Sequence, residues 1–554
     1  MMTVGRAWAV CVGVLCFGLV TGRNACPPVP SGAVLAADWP QWGGRDCRNN
    51  VSEEKGLPDS FVPGEKKSGG GGIDMATTKN VKWVARLGSA AYGNPVVAGG
   101  RVYVGTDNLT LAEDSRFKRS RGGLVKCFDE ATGKLLWQLA VPERTKVSKE
   151  THFSQQHLGT CSSVAVEGDR VYVLTSAADV VCLDVRGQAN GNDGPFKDEG
   201  RYMAGLDKPH VAIQPTDADI LWRYDLIDEL GVCPHDAASC SVLIHGDLLY
   251  LSTSNGVDAA HAKVVNPKAP AFIALDKRTG RLAAFEDEKL SSRLYHAEWS
   301  SPSLGEVNGK KLAFLGGGDG VCYAFEALDK APEKPVPLKK VWSYDCNPPH
   351  YKYRDGKPIP YYDGDKRKSK SPNKNDGRYV GPSQLIATPV FYNNRIYIAL
   401  GQDPAHGRGK GMLHCIDATR APSAGGSGDI TKTGCVWTYD GLDRTIATAA
   451  VADGLVYVTD VGGRLHCLDA DTGKPCYIYD TKAETWGGPL MADGKLYFGT
   501  QKEFFIMTAG REPNILCRVR LGSAAYSTPI VASGVVYVAS QHYLWAVARK
   551  YGDG

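Results

Sequence analysis

His157, His235, His296, Asp236 and Glu298 each stand just before a run of small residues that reads as a short strand. Arg444 and Glu484 hold the equivalent place further along, while Asp319, Gln402 and Asp403 each follow a Val-Tyr-Val type strand or its counterpart. Three imidazoles with carboxylates form a donor set that suits a transition-metal ion, so these ten positions are the candidate ligand-binding residues. Which metal, if any, the residue types leave open. A wet, polar rim of loops would carry the same residues with no ligand at all. No residue is assigned as catalytic. The chain has no C-x-x-C and no C-x-x-C-H, so neither a zinc knuckle nor an attached c-type haem is supported.

What must position these groups is a repeat. Residues 447–479 show it with almost no insertion: Ala447 to Val451, a turn at Asp453-Gly454, Leu455 to Val458, Leu465 to Asp469, a turn at Asp471-Thr472-Gly473, then Cys476 to Tyr479. Every strand is short and ends in turn chemistry. The middle aromatic of the second strand counts the copies: Tyr103, Tyr172, Tyr250, Phe314, Tyr397, Tyr457, Tyr497 and Tyr537. Four short strands per roughly 40 residues is the pattern of a propeller blade. The expectation is all-β, an eight-bladed β-propeller of four-stranded antiparallel blades over residues 81–549.

Blade eight ends at Trp545 to Ala548 with no fourth strand of its own. Val81 to Leu87 supplies the missing strand from the other end of the chain, and closure hides two sheet edges. Arg86-Leu87-Gly88-Ser89-Ala90-Ala91-Tyr92 recurs as Arg520-Leu521-Gly522-Ser523-Ala524-Ala525-Tyr526, as adjacent blades would require. Outer-strand rings, Trp83, Trp137, Trp222, Trp342 and Trp437, are expected to dock against the neighbouring blade. Cys127, Cys182, Cys322, Cys415 and Cys467 recur in third strands and read as packed thiols. Cys233 and Cys240 are the pair best placed for a local disulfide.

The chain has 554 residues, 43% hydrophobic and 22% charged, with 64 Gly and a net charge of +4. That composition is globular, and the small charge excess argues against a nucleic-acid partner. Arg6 and the apolar run Ala7 to Val20 read as an export signal over residues 1–37, too short to span a bilayer. No stretch is long enough for a transmembrane segment in the mature chain. Residues 38–80 read as a lead-in and Gly-rich linker, with Trp39 and Trp42 packed on the propeller flank, and 550–554 as a tail. The insertion 350–379 has nine Lys/Arg, four Asp/Glu and five Tyr. Within it Tyr361, Tyr362, Lys366, Arg367 and Lys368 are candidates to grip an acidic partner or anionic polymer.

Phe128-Asp129-Glu130-Ala131-Thr132-Gly133-Lys134-Leu135-Leu136-Trp137 and its copies resemble the pyrroloquinoline-quinone (PQQ)-like repeat family of propellers. The lead-in from Asp38 to Asp46 is similar to that of many exported members. The resemblance implies two branches. Quinoprotein dehydrogenases hold PQQ and Ca²⁺ above the ring centre, between a Trp floor and a disulfide of adjacent cysteines. BamB-like members are non-catalytic. This chain has no Cys-Cys pair. The sequence therefore points to an exported, monomeric, non-catalytic module of the periplasm or cell envelope, or released from it, which binds a protein or envelope polymer and needs no cofactor. The alternative is a PQQ- or metal-dependent oxidoreductase, PQQ and Ca²⁺ included, with its site at the channel mouth.

Overall fold

Short β-branched and aromatic strands separated by Asp-Gly and Thr-Gly turns can only bury their two faces by stacking sheet on sheet around an axis. The computed structural model does this. It describes residue 1 and residues 38–549, apart from 70, 118–119, 145–146, 206–207, 362–379, 407–408 and 421–427. The expected leader, but for Met1, and the tail fall outside these residues, as do Tyr362, Lys366, Arg367 and Lys368.

Eight antiparallel blades of four strands occupy residues 96–141, 165–225, 243–285, 303–345, 390–439, 450–480, 490–519 and 530–547, the last completed by Val81–Arg86. That strand pairs with Tyr543–Val547, setting Trp83 against Ala546 and Val84 against Trp545. The eight counting aromatics are all buried. Four of them face a third-strand cysteine in register: Tyr103 and Cys127, Tyr172 and Cys182, Tyr397 and Cys415, Tyr457 and Cys467. Cys322 departs from the pattern, since Phe314 faces Ala324 and Cys322 faces Gly316. Cys233 and Cys240 are not bridged. The Cys240 thiol instead accepts from the Ser252 amide at 3.2 Å.

The expected docking of the outer-strand indoles has a specific form. Trp83, Trp137, Trp222 and Trp437 each donate Nε1–H to a main-chain carbonyl of the next blade: Glu130, Val185, Lys277 and Ala470, at 2.9 to 3.2 Å. Trp342 is fully buried against Ile416 and Ala418 of the next blade, without such a bond from Nε1. Around the axis, five blades pass a main-chain amide to an Oγ or Oδ of the following blade. The pairs are Ser163 to Ser241, Ser241 to Ser301, Thr388 to Thr448, Gly488 to Thr528, and Thr528 to Asn94. This satisfies amides that a converging ring of strands leaves without sheet partners.

The lead-in corrects the sequence expectation: Trp39 and Trp42 lie at the hub, not on the flank. From residue 38 to 54 the segment touches all eight blades at or beside their inner strands. Trp39 pairs with Val97, and Pro40, Asp46 and Cys47 accept from Val166, Leu304 and Phe391. Asn49 exchanges two bonds with Val451, and Val51–Ser52 pairs in parallel with Met491 and Ala492. Glu54 accepts from Ser533 and Gly534. The buried Arg48 guanidinium donates to the carbonyls of Pro302, Trp42 and Val242 and to Gln41 Oε1. The irregular backbone there is buried, so its polar groups must be met by the strands around it. The channel is thereby plugged at one mouth, with Trp42 on its floor.

Candidate metal centre

At the other mouth, five imidazoles and two carboxylates converge. Their donor atoms form three overlapping groups, each within 4.8 Å: His235, His261 and His296; His152, His235 and Asp236; His296, Asp403 and His406. The rings of His235 and His296 have centroids 4.4 Å apart, His235 and His261 4.6 Å, and His296 and His406 5.0 Å.

Local structure explains each placement. His235 and His296 precede the inner strands of blades 3 and 4. Their loops are tied together through Asn255 to Val257: Pro234 bridges Asn255, Gly256 bridges Ala297, and Val257 N–H donates to the His296 carbonyl at 2.8 Å. His261 tips the insertion between the second and third strands of blade 3, closed by the Val257–Val264 bridge. His152 ends the short helix Ser148–Thr151 of blade 2, and Asp236 N–H donates to the Thr151 carbonyl. Asp403 and His406 straddle the turn Pro404–His406 of blade 5, with Ala405 N–H on Asp403 Oδ1 at 2.9 Å. His152, Asp236 and His261 all have left-handed backbone, with φ near +55° to +59°. Three such non-glycine residues in one cluster mark a site whose geometry is held against local preference.

The electrostatics suit metal ligation. Burial first, then the neighbouring imidazoles, push His235 and His261 down to about 4 and His296 well below the ordinary histidine range. All three are therefore neutral at pH 7, the form that ligates. His235 Nδ1 lies 2.8 Å from the Val257 carbonyl, which can only accept, so Nδ1 carries the proton and Nε2 presents its lone pair. Nε2 is buried without a hydrogen-bond partner. Burial raises Asp236 to about 7. Asp403 is held below the usual carboxylate range by His406, against the opposing effect of burial. His406 Nδ1 and Asp403 Oδ2 are in direct contact.

Of the sequence-predicted residues, His235, Asp236, His296 and Asp403 are brought together. His157 is half-buried and joins none of the three donor groups. Glu298 is fully buried, accepts from Gly318 N–H at 2.8 Å, and is pushed well above the ordinary range by burial. Asp319 accepts from Tyr323 and Arg293. Gln402 donates to the Pro382 carbonyl. Arg444 donates to the His406 carbonyl at 2.9 Å, a positioning contact. The Glu484 carbonyl accepts from Gln501, two blades from the cluster. Tyr361 corrects its expectation as a partner-gripping side chain. It is buried, stacks on Tyr295 at 5.8 Å and on His296 at 6.0 Å, and meets His406 edge-on. His152, His261 and His406 were missed. Part of their signal was present: His152 and His261 lie in long segments between strands, and His406 is three residues past Asp403.

Beneath the cluster lies the channel, a cavity of about 150 Å³. Trp299 lines it and meets His296 edge-on at 4.9 Å. Tyr92, Trp486 and Tyr526, from three successive blades, stack along its wall. Among the described residues no helix is long and apolar enough to cross a membrane.

Residues 121–283 and 434–512 match the repeat family described as outer membrane protein assembly factor BamB. No curated protein matches the chain. Among solved structures it is similar to BamB from Moraxella catarrhalis, with 12% identity, 86% of this chain and 98% of that one covered, and a TM-score of 0.48. It is also similar to a europium-containing methanol dehydrogenase, with 13% identity, 91% and 89% covered, and a TM-score of 0.49. A third is quinohemoprotein alcohol dehydrogenase from Comamonas testosteroni, with 14% identity, 93% and 81% covered, and a TM-score of 0.43.

Proposed function

We propose that this chain, a PQQ-like repeat propeller, works in the cell envelope by holding a divalent transition-metal ion at the open mouth of its channel. The observation that carries the reading is the convergence of buried His235 and His296 with half-buried His261, their donor atoms within 4.8 Å of one another. The envelope setting is supported by the assembly-factor description of the matched family.

The donor chemistry favours zinc, copper or a similar ion. Calcium takes six to eight oxygen ligands, and this site is mostly nitrogen. The quinone cofactor of the dehydrogenase branch fits poorly as well. The sequence has none of the adjacent cysteines that the resemblance places over that cofactor, and the mouth is lined by imidazoles. A metal held by three protein ligands keeps a position for water, substrate or a partner's donor, and acts there as a Lewis acid. The chain's own residues do the rest. Val257 fixes the His235 tautomer, Asp403 and Arg444 orient His406, and Tyr361 stacks on His296.

The experiment is calorimetric titration of metal-stripped protein with zinc. The wild-type chain is expected to bind, and His235→Ala or His261→Ala to weaken binding at least tenfold with the fold intact by circular dichroism. Unchanged binding in both variants would overturn the reading.

A partner-binding role is a second reading, favoured by one observation. The outer strands of blades 5, 6 and 7 expose Val436, Ile478, Ile515 and Leu516. The matching edges of blades 1, 3 and 4 are instead covered by segments at Thr216 to Ala218, Val336 to Leu338 and Gly428 to Ile430. Ile478→Lys with Ile515→Lys should abolish co-purification of an envelope partner, and its persistence would remove this reading.

A further inference from the structure

We infer that the centre takes two metal ions, with His296 as the ligand common to both. The inference rests on the metal reading above and extends it.

The three donor groups cannot each hold an ion. His235 belongs to two of them, yet its Nδ1 is committed to the Val257 carbonyl, so only Nε2 can ligate. The group with His152 and Asp236 and the group with His261 and His296 therefore compete for one nitrogen. They describe one ion, centred on His235 Nε2, whose remaining ligands come from His261 and His296. Asp236 Oδ2, 3.7 Å from that nitrogen, and His152 stand at its edge.

The third group adds two residues of its own. Asp403 and His406 belong to neither of the others. The residue they share with the first ion's donor group is His296, whose Nδ1 lies 3.7 Å from Asp403 Oδ2. An imidazole carries two nitrogens directed to different sides of its ring, so one ring can serve two ions as a bridging imidazolate. Loading the second ion requires His296 to release its ring proton to solvent. It also requires the present His406–Asp403 contact to give way to metal bonds.

The two positions differ in chemistry. The first is built from neutral imidazoles. The second has a carboxylate, Asp403, whose oxygen lies within 4.8 Å of the donor nitrogens of His296 and His406. Arg444 holds the His406 backbone, and Tyr361 stacks on His296 and meets His406 at its edge. Both ions would thus sit among loops of blades 3, 4 and 5, those of blades 3 and 4 tied together by the Pro234–Asn255 and Gly256–Ala297 bridges.

The test is metal stoichiometry. Metal-stripped full-length chain is saturated with zinc, freed of excess by gel filtration, and assayed for zinc and protein together. Two zinc ions per chain are expected. Asp403→Asn combined with His406→Ala should leave one, and His296→Ala should weaken uptake at both positions at least tenfold. One zinc per wild-type chain, unchanged in the Asp403/His406 variant, would overturn the second ion while leaving the single-ion reading standing. No bound zinc would overturn both. A His296→Ala chain holding two zinc ions with unaltered affinity would overturn the common ligand. Thermal melts of the stripped variants, expected within a few degrees of wild type, separate lost ligation from lost folding.

Discussion

The indole of Trp83 lies against Gly133, so close that a Cβ at position 133 would stand 2.5 Å from the ring. The same relation joins Trp222 to Gly280 and Trp437 to Gly473, at 2.4 and 2.6 Å. At these three Thr-Gly turns the glycine thus does two things. It takes the positive φ that the turn needs, and it opens the slot into which the preceding blade inserts its tryptophan. Blade-to-blade docking and turn formation are one structural event.

Gly133→Ala and Gly454→Ala separate these roles. Gly454 has φ +74° but nothing within 4 Å of a modest side chain. Its substitution should cost only the backbone term, about 1–2 kcal/mol. Gly133 adds the collision with Trp83, so its cost should reach about 2–5 kcal/mol. Urea denaturation of both variants checks this, and equal costs would show that the indole contact is dispensable.

Arg48 should be the most sensitive residue of the plug. Its guanidinium is fully buried and satisfies three carbonyls belonging to the lead-in and to blades 3 and 4. Arg48→Met keeps the stem and strands those carbonyls. A loss of about 3–5 kcal/mol is expected, with earlier tryptic cleavage of the lead-in. A melt and a digestion pattern like those of wild type would mean that the plug is held by the neighbouring Asn49 and Asn50 contacts instead.

The repeat was legible because packing enforces it. A ring of stacked sheets needs a large buried aromatic at one place per blade, and Tyr103 to Tyr537 count the blades without error. Closure was legible because Trp545 lacked a following strand and Trp83 lacked a preceding one. The lead-in was not, because Asp38 to Glu54 has no periodicity. Its position is set by main-chain and side-chain hydrogen bonds to strands that no local pattern announces. The site was half legible. His235 and His296 sit at a fixed place in the repeat, so strand order alone put them on the rim. His152 and His261 lie in insertions that fold back over the channel, where spacing along the chain says nothing of distance in space. Tyr361 misled because the insertion that holds it is rich in charge, while its ring stacks on Tyr295 and His296.

Glu286 should give the protein a distinctive pH profile. Its carboxyl is buried, accepts from Ala271 N–H at 3.0 Å, and is raised by that burial to about 7. A group raised in the folded state binds more protons there than in the unfolded chain between about 4.5 and 7. Stability contributed by this residue therefore falls as pH climbs through that window, by up to roughly 3 kcal/mol. Glu286→Gln should flatten the profile, gaining stability over wild type at pH 8 relative to pH 5. Parallel profiles in urea denaturation at the two pH values would contradict the assignment.

The metal centre is best tested by X-ray absorption at the zinc edge on the loaded full-length chain. A nitrogen-rich first shell near 2.0 Å with the outer-shell scattering of two or three imidazoles is the expected result. An oxygen-only shell, or imidazole scattering that survives in the His235→Ala, His296→Ala double variant, would contradict it.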